Sequence, residues 1–381
     1  MKILHTSDWH LGKKLFRLDR TEEHKLFLKW LLDQLIIQQI DVLFIAGDIF
    51  DTPTPPHQAQ EMLYDFLYEV SVKTKTTTFI IAGNHDSGHL LEAPAKILKN
   101  HRVKIWGKLS ENPTDHWITF THEKESINIC GIPFFRSYEL MPQGESDAII
   151  ALQKYLETPK SGKNFLLFHH LVGIFEAAGS EQAISLTGLE SIPKDLLNKF
   201  DYVALGHIHK PQKVATNAYY SGSPIPLRFS ETFAKNVVII DVTDSNIEIS
   251  HTSIPIFRQI IQLKVDESNW EEKVNGLIKE TELTPVVEIQ MKLKAPVVGL
   301  VDKIRNILDK KSMDLLLFEP LFQDENKPQK NEKLFELNTF ELFKEFYKHK
   351  YPESEKMPPE LEEDFKELVL RVSHETPQTE T

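Results

Sequence analysis

The first part of the chain alternates short, fully apolar runs with longer segments whose apolar residues recur at helical spacing. Lys2–Thr6, Asp41–Ala46, Thr77–Ala82, Asn128–Pro133, Asn164–His169 and Tyr202–Leu205 have strand length. Apolar runs without alternation predict strands covered on both faces, as in layered α/β folds. Thr21–Gln38 carries Phe27, Leu31 and Leu35 at helical spacing, and Gln58–Val70 repeats the pattern. Asn217–Ser221 and Val237–Val242 add two further strands.

The pattern changes at about Ser253–Phe257. Beyond it, strand-like Gln259–Val265, helical Trp270–Glu280, strand-like Val286–Leu293, helical Val298–Leu308 and strand-like Asp314–Phe318 spell a β-α-β-α-β unit. The division expected is a first domain over residues 1–255 and a small second one over 256–323. A polar linker containing Pro328 follows over 324–333, then a helical tail over 334–373 and a disordered end over 374–381. Two amphipathic patterns fill the tail. One carries Phe335, Phe340, Phe343 and Phe346, the other Leu361 and Phe365. That much apolar surface beyond a flexible linker is expected to bind a partner.

Composition changes this picture little. Of 381 residues, 41% are hydrophobic, 10% aromatic and 26% charged, which is ample for a large core and fits two or three domains. No apolar stretch approaches a membrane span, and Met1–His5 runs into a strand pattern without a signal-type apolar region. Cys130 has no second cysteine to pair with. A reducing compartment, the cytoplasm, is the expectation. The net charge of −12 argues against a surface coated for nucleic acid. The acid is unevenly spread, however: from Asn331 to Thr381, 13 acidic residues face 7 basic ones. Acidity therefore weakens a DNA substrate without excluding it, since bound divalent ions would reverse the charge where it matters.

The chemistry lies just beyond five of the apolar runs. They lead into Asp8-Trp9-His10, Gly47-Asp48, Gly83-Asn84-His85-Asp86, His169-His170 and Gly206-His207-Ile208-His209. Loops at the carboxyl ends of strands are where ligands gather in α/β folds. Oxygen and imidazole donors without thiolate suit manganese, iron, magnesium or zinc. In an Asp-x-His pair on extended backbone both side chains point one way, so Asp8 and His10 can share an ion, as can His207 and His209. Asp48 can bridge two ions. His169-His170 leaves open which imidazole serves. Glycines 47, 83 and 206 let backbone turn tightly beside the ions. Trp9 and Phe50 flank ligands and are expected in the core.

These residues carry a resemblance to the calcineurin-like metallophosphoesterases. Thr6-Ser7-Asp8-Trp9-His10-Leu11-Gly12, Gly47-Asp48-Ile49-Phe50-Asp51-Thr52, Leu189-Glu190-Ser191-Ile192-Pro193 and Tyr220-Ser221-Gly222-Ser223-Pro224 narrow it to the SbcD group, the nuclease subunits of bacterial SbcCD complexes. The resemblance implies a four-layer β-sandwich flanked by helices and a dinuclear centre, with manganese expected. It assigns one ion to Asp8, His10, Asp48 and His209, and the other to Asp48, Asn84, His170 and His207. His85 would be the catalytic proton donor rather than a ligand, with Asp86 as its orienting partner. In archaeal and eukaryotic relatives a histidine sits three residues after the bridging aspartate, where this chain has Asp51, so no role in seating substrate is expected of that side chain.

The same resemblance implies a nuclease with double-strand 3′→5′ exonuclease and hairpin or single-strand endonuclease activity. It further implies a homodimer, an SbcC-type coiled-coil ATPase partner seated on the tail, and a place at the nucleoid. The chain has no Gly-x-x-x-x-Gly-Lys-[Ser/Thr] phosphate loop, so ATP dependence would come from that partner. Lys13, Lys14, Arg17, Arg20 and Arg228, with Lys235, are candidate phosphate contacts. A phosphatase acting on small or protein substrates, and a DNA-tethering protein, are the competing readings.

Overall fold

The structure, a computed structural model, describes residues 1–123, 125–140, 148–157, 161–173, 176, 191–243 and 246–322, with Phe343, Tyr347, Tyr351, Pro358, Leu361, Glu362 and Phe365. It divides into two compact units, Met1–Leu321 and Phe322–Thr381.

Two six-stranded sheets frame the first unit. One runs in the order Ile247–Ser253, Asn236–Val242, Lys2–Thr6, Val42–Ala46, Thr77–Ile81, Val103–Trp106. The other runs Gln212–Lys213, Ala218–Tyr220, Tyr202–Leu205, Lys163–Phe168, Glu125–Ile132, Trp117–His122. The four strands from Lys2–Thr6 to Val103–Trp106 are parallel, as are the four from Ala218–Tyr220 to Glu125–Ile132. Within each group the carboxyl ends therefore lie along one edge, and the motif-bearing loops start there.

Period-two burial explains why the strands are apolar at every position. In Val42–Ala46, the residues Val42, Phe44 and Ala46 join Ile3, Phe79, Phe165, Leu167, Tyr202 and Ala204 in a core between the sheets. Leu43 and Ile45 point the other way, into a cluster with Phe27, Leu31 and Leu35 of helix Thr21–Ile37 and Leu63, Phe66 and Leu67 of helix His57–Lys73. On the far side of the second sheet, Leu166, Phe168, Val203 and Leu205 meet Leu152 and Tyr155 of helix Ala148–Tyr155. Helix, sheet, sheet and helix stack as four layers, the fold class expected. Trp9 and Phe50 are fully buried in this packing.

The segment after residue 255 orders strand Ile260–Asp266, helix Trp270–Asn275, strand Val286–Leu293, helix Leu300–Lys310 and strand Asp314–Phe322 around its own core of Val265, Val287, Ile289, Ile304 and Leu308. The helix expected over Trp270–Glu280 stops at Asn275, where Gly276, a poor helix former, follows as its C-cap. Arg258 Nε reaches Glu23 Oε2 at 3.0 Å and ties this segment to helix Thr21–Ile37. Among the described residues no helix is long and apolar enough to cross a membrane.

In the second unit, the rings of Phe343 and Phe365 stack with centroids 3.8 Å apart and planes 8° from parallel, and Leu361 is exposed. Two residues expected to face a partner thus face each other. Phe335, Phe340 and Phe346, the linker over 324–333 and the end over 374–381 lie outside the described residues.

Candidate metal centre

The loops leave the strand ends in backbone conformations that L-residues seldom adopt. Asp8 (φ 54°), His10 (φ 47°), Asp48 (φ 50°) and His207 (φ 97°) all lie at positive φ. Such residues cost of order 1–3 kcal/mol each and persist only where surrounding contacts enforce them. Here the contacts are backbone bonds that carry the parallel pairing past the sheet edge. Asp8 N–H donates to Gly47 O at 3.0 Å, His10 N–H to Asp48 O at 3.0 Å and Leu11 N–H to Ile49 O at 2.8 Å. Gly47 (φ 87°) is required twice over, since a Cβ there would also stand 2.3 Å from His169 Nδ1. At Gly83 a Cβ would stand 2.2 Å from Asp48 Oδ1.

The side chains converge as two groups about Asp48, with a third, His10, Asp51 and His85, alongside. Asp8, His10 and His209 present ligand atoms within 4.8 Å of one another, and so do Asp48, His169 and His207. His10 Nε2 faces His209 Nε2 at 3.2 Å and Asp48 Oδ2 at 3.5 Å. His169 Nε2 lies 3.4 Å from Asp48 Oδ2 and 3.1 Å from Asn84 Oδ1, and Asn84 Oδ1 is 2.8 Å from His207 Nδ1. Backbone N–H groups fix the carboxylates: His207 donates to Asp8 Oδ1 at 2.8 Å and His85 to Asp48 Oδ1 at 2.9 Å. Ser7 Oγ adds a short bond to Asp8 Oδ2.

Electrostatics follow from burying so many donors. Burial, then the charge on His169, pushes His207 down to about 3. Burial likewise lowers His10. For His169 burial pulls the same way, but the Asp48 carboxylate overrides it and lifts the imidazole to about 9. Burial opposes ionisation of Asp48, yet the neighbouring His169 holds it well below the usual carboxylate range. His207 Nε2 is buried without a hydrogen-bond partner. Buried orphan nitrogens cost free energy unless something fills the role of partner. A set of nitrogen and oxygen donors around one carboxylate fits divalent ions.

Six of the seven expected ligands are brought together: Asp8, His10, Asp48, Asn84, His207 and His209. The seventh is corrected. His169 stands in the cluster, whereas His170 Nε2 accepts a bond from Phe135 N–H at 3.2 Å. The His170 ring packs among Phe134, Phe135 and Phe168, with centroids 4.0 to 4.9 Å away. Successive residues leave a strand on opposite sides, so only one of the two histidines can face the loops.

His85 sits beside the cluster, its ring 4.8 Å from that of His10. The expected partner is corrected here too. His85 Nδ1 faces the backbone oxygen of Asp51 at 2.8 Å, while Asp86 turns away. The Asp86 carboxylate accepts from the N–H groups of Gly83, Ile49 and Phe50 at 2.8 to 3.1 Å and so clamps two loops. Burial and the charge on Asp48 raise its pKa to about 6.

The basic residues divide. Lys14, Arg17 and Arg228 are exposed, and Arg17 reaches Leu315 O at 3.4 Å. Lys13 pairs with Asp51 at 2.9 Å. Arg20 is buried, bonded to both oxygens of Glu23 at 2.6 Å, and cannot reach a phosphate. Lys235 is buried as well, 2.6 Å from Glu231.

Of the residues behind the ligands, sequence reasoning noted Asp51 only as a departure from relatives and passed over Glu231. The carboxylates of Asp51 and Glu231 stand 3.4 Å from Nδ1 of His10 and His209. For Asp51 its place three residues after Asp48 was a usable signal; for Glu231 none was.

Comparison with known proteins agrees with this geometry. Residues 1–211 match the calcineurin-like phosphoesterase family. The chain is 32% identical over 269 residues to SbcD, the D component of the SbcCD nuclease, from Rhodobacter capsulatus, covering 64% of this chain and 66% of that one, just under two thirds of its length. It is 26% identical over 369 residues to the protein of the same name from Escherichia coli K12, covering 90% and 92%. For that of Bacillus subtilis the identity is 28% over 374 residues, covering 91% and 92%. The family match spans more than half of the chain and contains all five ligand loops, and on that ground the chain belongs to the calcineurin-like phosphoesterase family.

Proposed function

We propose that this chain is a two-metal DNA nuclease of the SbcD type. One ion would be held by Asp8, His10, Asp48 and His209, and the second by Asp48, Asn84, His169 and His207. The observation that carries the reading is the convergence of these seven donors around Asp48, with His85 beside them but turned to its own partner. Near full-length similarity to proteins named as the SbcD part of the SbcCD nuclease supports DNA as the substrate.

The chemistry that two bound divalent ions supply is activation of water and stabilisation of charge during in-line displacement at phosphorus. The chain's own residues do the rest. Asp48 and Asp8 are fixed by the N–H groups of His85 and His207, so the centre is shaped before substrate arrives. His85 donates its Nδ1–H to Asp51 O, and as the cationic ring, protonated on Nε2 as well, it hands the Nε2 proton to the leaving oxygen, a role worth roughly 10²–10⁴-fold. Manganese is the expected metal. The activities proposed are the 3′→5′ double-strand exonuclease and the hairpin or single-strand endonuclease.

Residues 1–255 form the nuclease domain, 256–323 a DNA-contacting cap and 334–373 the seat of an SbcC-type ATPase, in a cytoplasmic, nucleoid-associated homodimer. Lys14, Arg17 and Arg228 are the exposed cations assigned to meet phosphates. Cleavage of a labelled hairpin duplex with manganese, with and without the ATPase and ATP, tests the whole. Absence of cleavage under every condition, with hydrolysis of a small phosphodiester retained, would make the chain a small-substrate enzyme.

A further inference from the structure

Behind His209 lies a charge pair that the catalytic roles do not use. The Glu231 side chain is fully buried and that of Lys235 is 6% exposed, with their charged atoms 2.6 Å apart. Glu231 Oε2 also accepts from Leu227 N–H at 3.1 Å and Ser223 Oγ at 3.3 Å. Lys235 Nζ reaches Ser223 Oγ at 2.8 Å and His209 O at 3.5 Å. The other carboxylate oxygen, Oε1, faces His209 Nδ1 at 3.4 Å. A buried ion pair is a poor way to hold a loop, because desolvation cancels most of its attraction and apolar residues do as well or better. What the pair provides that apolar residues lack is an anionic acceptor aimed at one ring nitrogen.

The two groups of donors differ in this respect. His10 and His209 each have a carboxylate at Nδ1, from Asp51 and Glu231, and their Nε2 atoms meet at 3.2 Å. His169 has only the backbone oxygen of Ala46 at Nδ1, 2.8 Å away. A carboxylate behind a ligating histidine selects its tautomer, fixes its plane and makes it a stronger donor.

Resting on the two-metal reading above, we propose that Glu231 is a positioning residue for the ion shared by Asp8, His10 and His209. It holds the His209 ring by Nδ1 so that Nε2 faces that ion, and Lys235 holds the carboxylate in place.

The test uses the full-length chain stripped of metal and titrated with Mn2+ by calorimetry, alongside thermal unfolding of the metal-free protein. Glu231→Gln removes the charge and keeps the shape. Glu231→Gln combined with Lys235→Met removes both charges, so that no unpaired ion is buried if the single variant folds poorly. Expected is a loss of about 10–100-fold in affinity for one Mn2+, an unchanged second Mn2+, and an unfolding temperature of the double variant no lower than that of the parent. Unchanged affinity for both ions would overturn the proposal. So would equal weakening of both together with a lower unfolding temperature, which is the mark of a purely structural pair. A parent chain that binds only one Mn2+ would instead overturn the two-metal reading itself.

Discussion

His169 Nε2 stands 3.4 Å from the carboxylate of Asp48, while the adjacent His170 is turned into a pocket of three phenylalanines and bonded to Phe135 N–H. The two histidines therefore separate by experiment. His169→Ala should leave one of the two bound ions per chain and abolish cleavage. His170→Ala should retain both ions and cost about 2–4 kcal/mol of stability through the cavity it opens. Metal content after dialysis, with urea unfolding of each variant, checks this. Loss of an ion from the His170 variant alone would restore that residue as the ligand.

The proton on His169 gives metal uptake a pH dependence. Although burial lowers its pKa, Asp48 lifts it to about 9 in the metal-free fold, against about 6.5 for an unfolded imidazole. The folded pKa is the higher one. The stability contributed by this proton is thus fully present below about pH 6.5 and lost as pH rises through about 9. A ligating nitrogen must give that proton up. Affinity at the Asp48–His169–His207 position should then rise from pH 7 to 8 by nearly tenfold and level off above about 9. Mn2+ calorimetry in two buffers of different ionisation enthalpy should show about one proton released at pH 7. Affinity falling with pH would contradict the assignment.

His85 and Asp86 are neighbours in sequence with separate duties. His85→Gln should keep both ions and slow cleavage by roughly 10²–10⁴-fold, as expected for a proton donor. Asp86→Ala orphans the N–H groups of Gly83, Ile49 and Phe50, and should cost about 2–4 kcal/mol and loosen both ions. Metal analysis, single-turnover cleavage and urea unfolding of the two variants distinguish the roles. An Asp86 variant with parental stability and slow cleavage would return the carboxylate to the catalytic list.

Much of this was legible in the residues because it depends on short-range pattern. Fully apolar runs such as Val42–Ala46 announce strands covered on both sides, and each ligand loop follows such a run at once. What was not legible depends on side-chain direction and on partners distant in sequence. The identity of the facing histidine is decided by the pleat of Lys163–Phe168, which one residue of drift inverts. Glu231 approaches His209 from 22 residues further on, through a loop with no repeating pattern. Arg20 reads as the last member of a basic stripe with Lys13, Lys14 and Arg17, yet the turn into helix Thr21–Ile37 brings it onto Glu23 and into the core.

That last pair also bears on how the β-α-β-α-β segment is held. Glu23 receives Arg20 at both oxygens, each at 2.6 Å, and Arg258 Nε at 3.0 Å, and Arg258 Nη1 donates to Thr284 O at 2.6 Å. One carboxylate thus binds two guanidinium groups, and all three side chains are at most 9% exposed. Removing it strands both cations, so Glu23→Ala should cost about 3–5 kcal/mol. Arg258→Ala leaves the Arg20–Glu23 pair whole and should cost less, about 1–3 kcal/mol, the range for a lost charged hydrogen bond. The two differ in where the damage falls. Loss of Arg258 should speed proteolysis between Ser253 and Gln259 while leaving Mn2+ affinity unchanged, because the metal loops take nothing from that side chain. Loss of Glu23 should lower stability of the whole first unit. Urea unfolding and timed proteolysis of both variants measure this, and equal effects from the two would mean that Glu23 does not bridge the two guanidinium groups in solution.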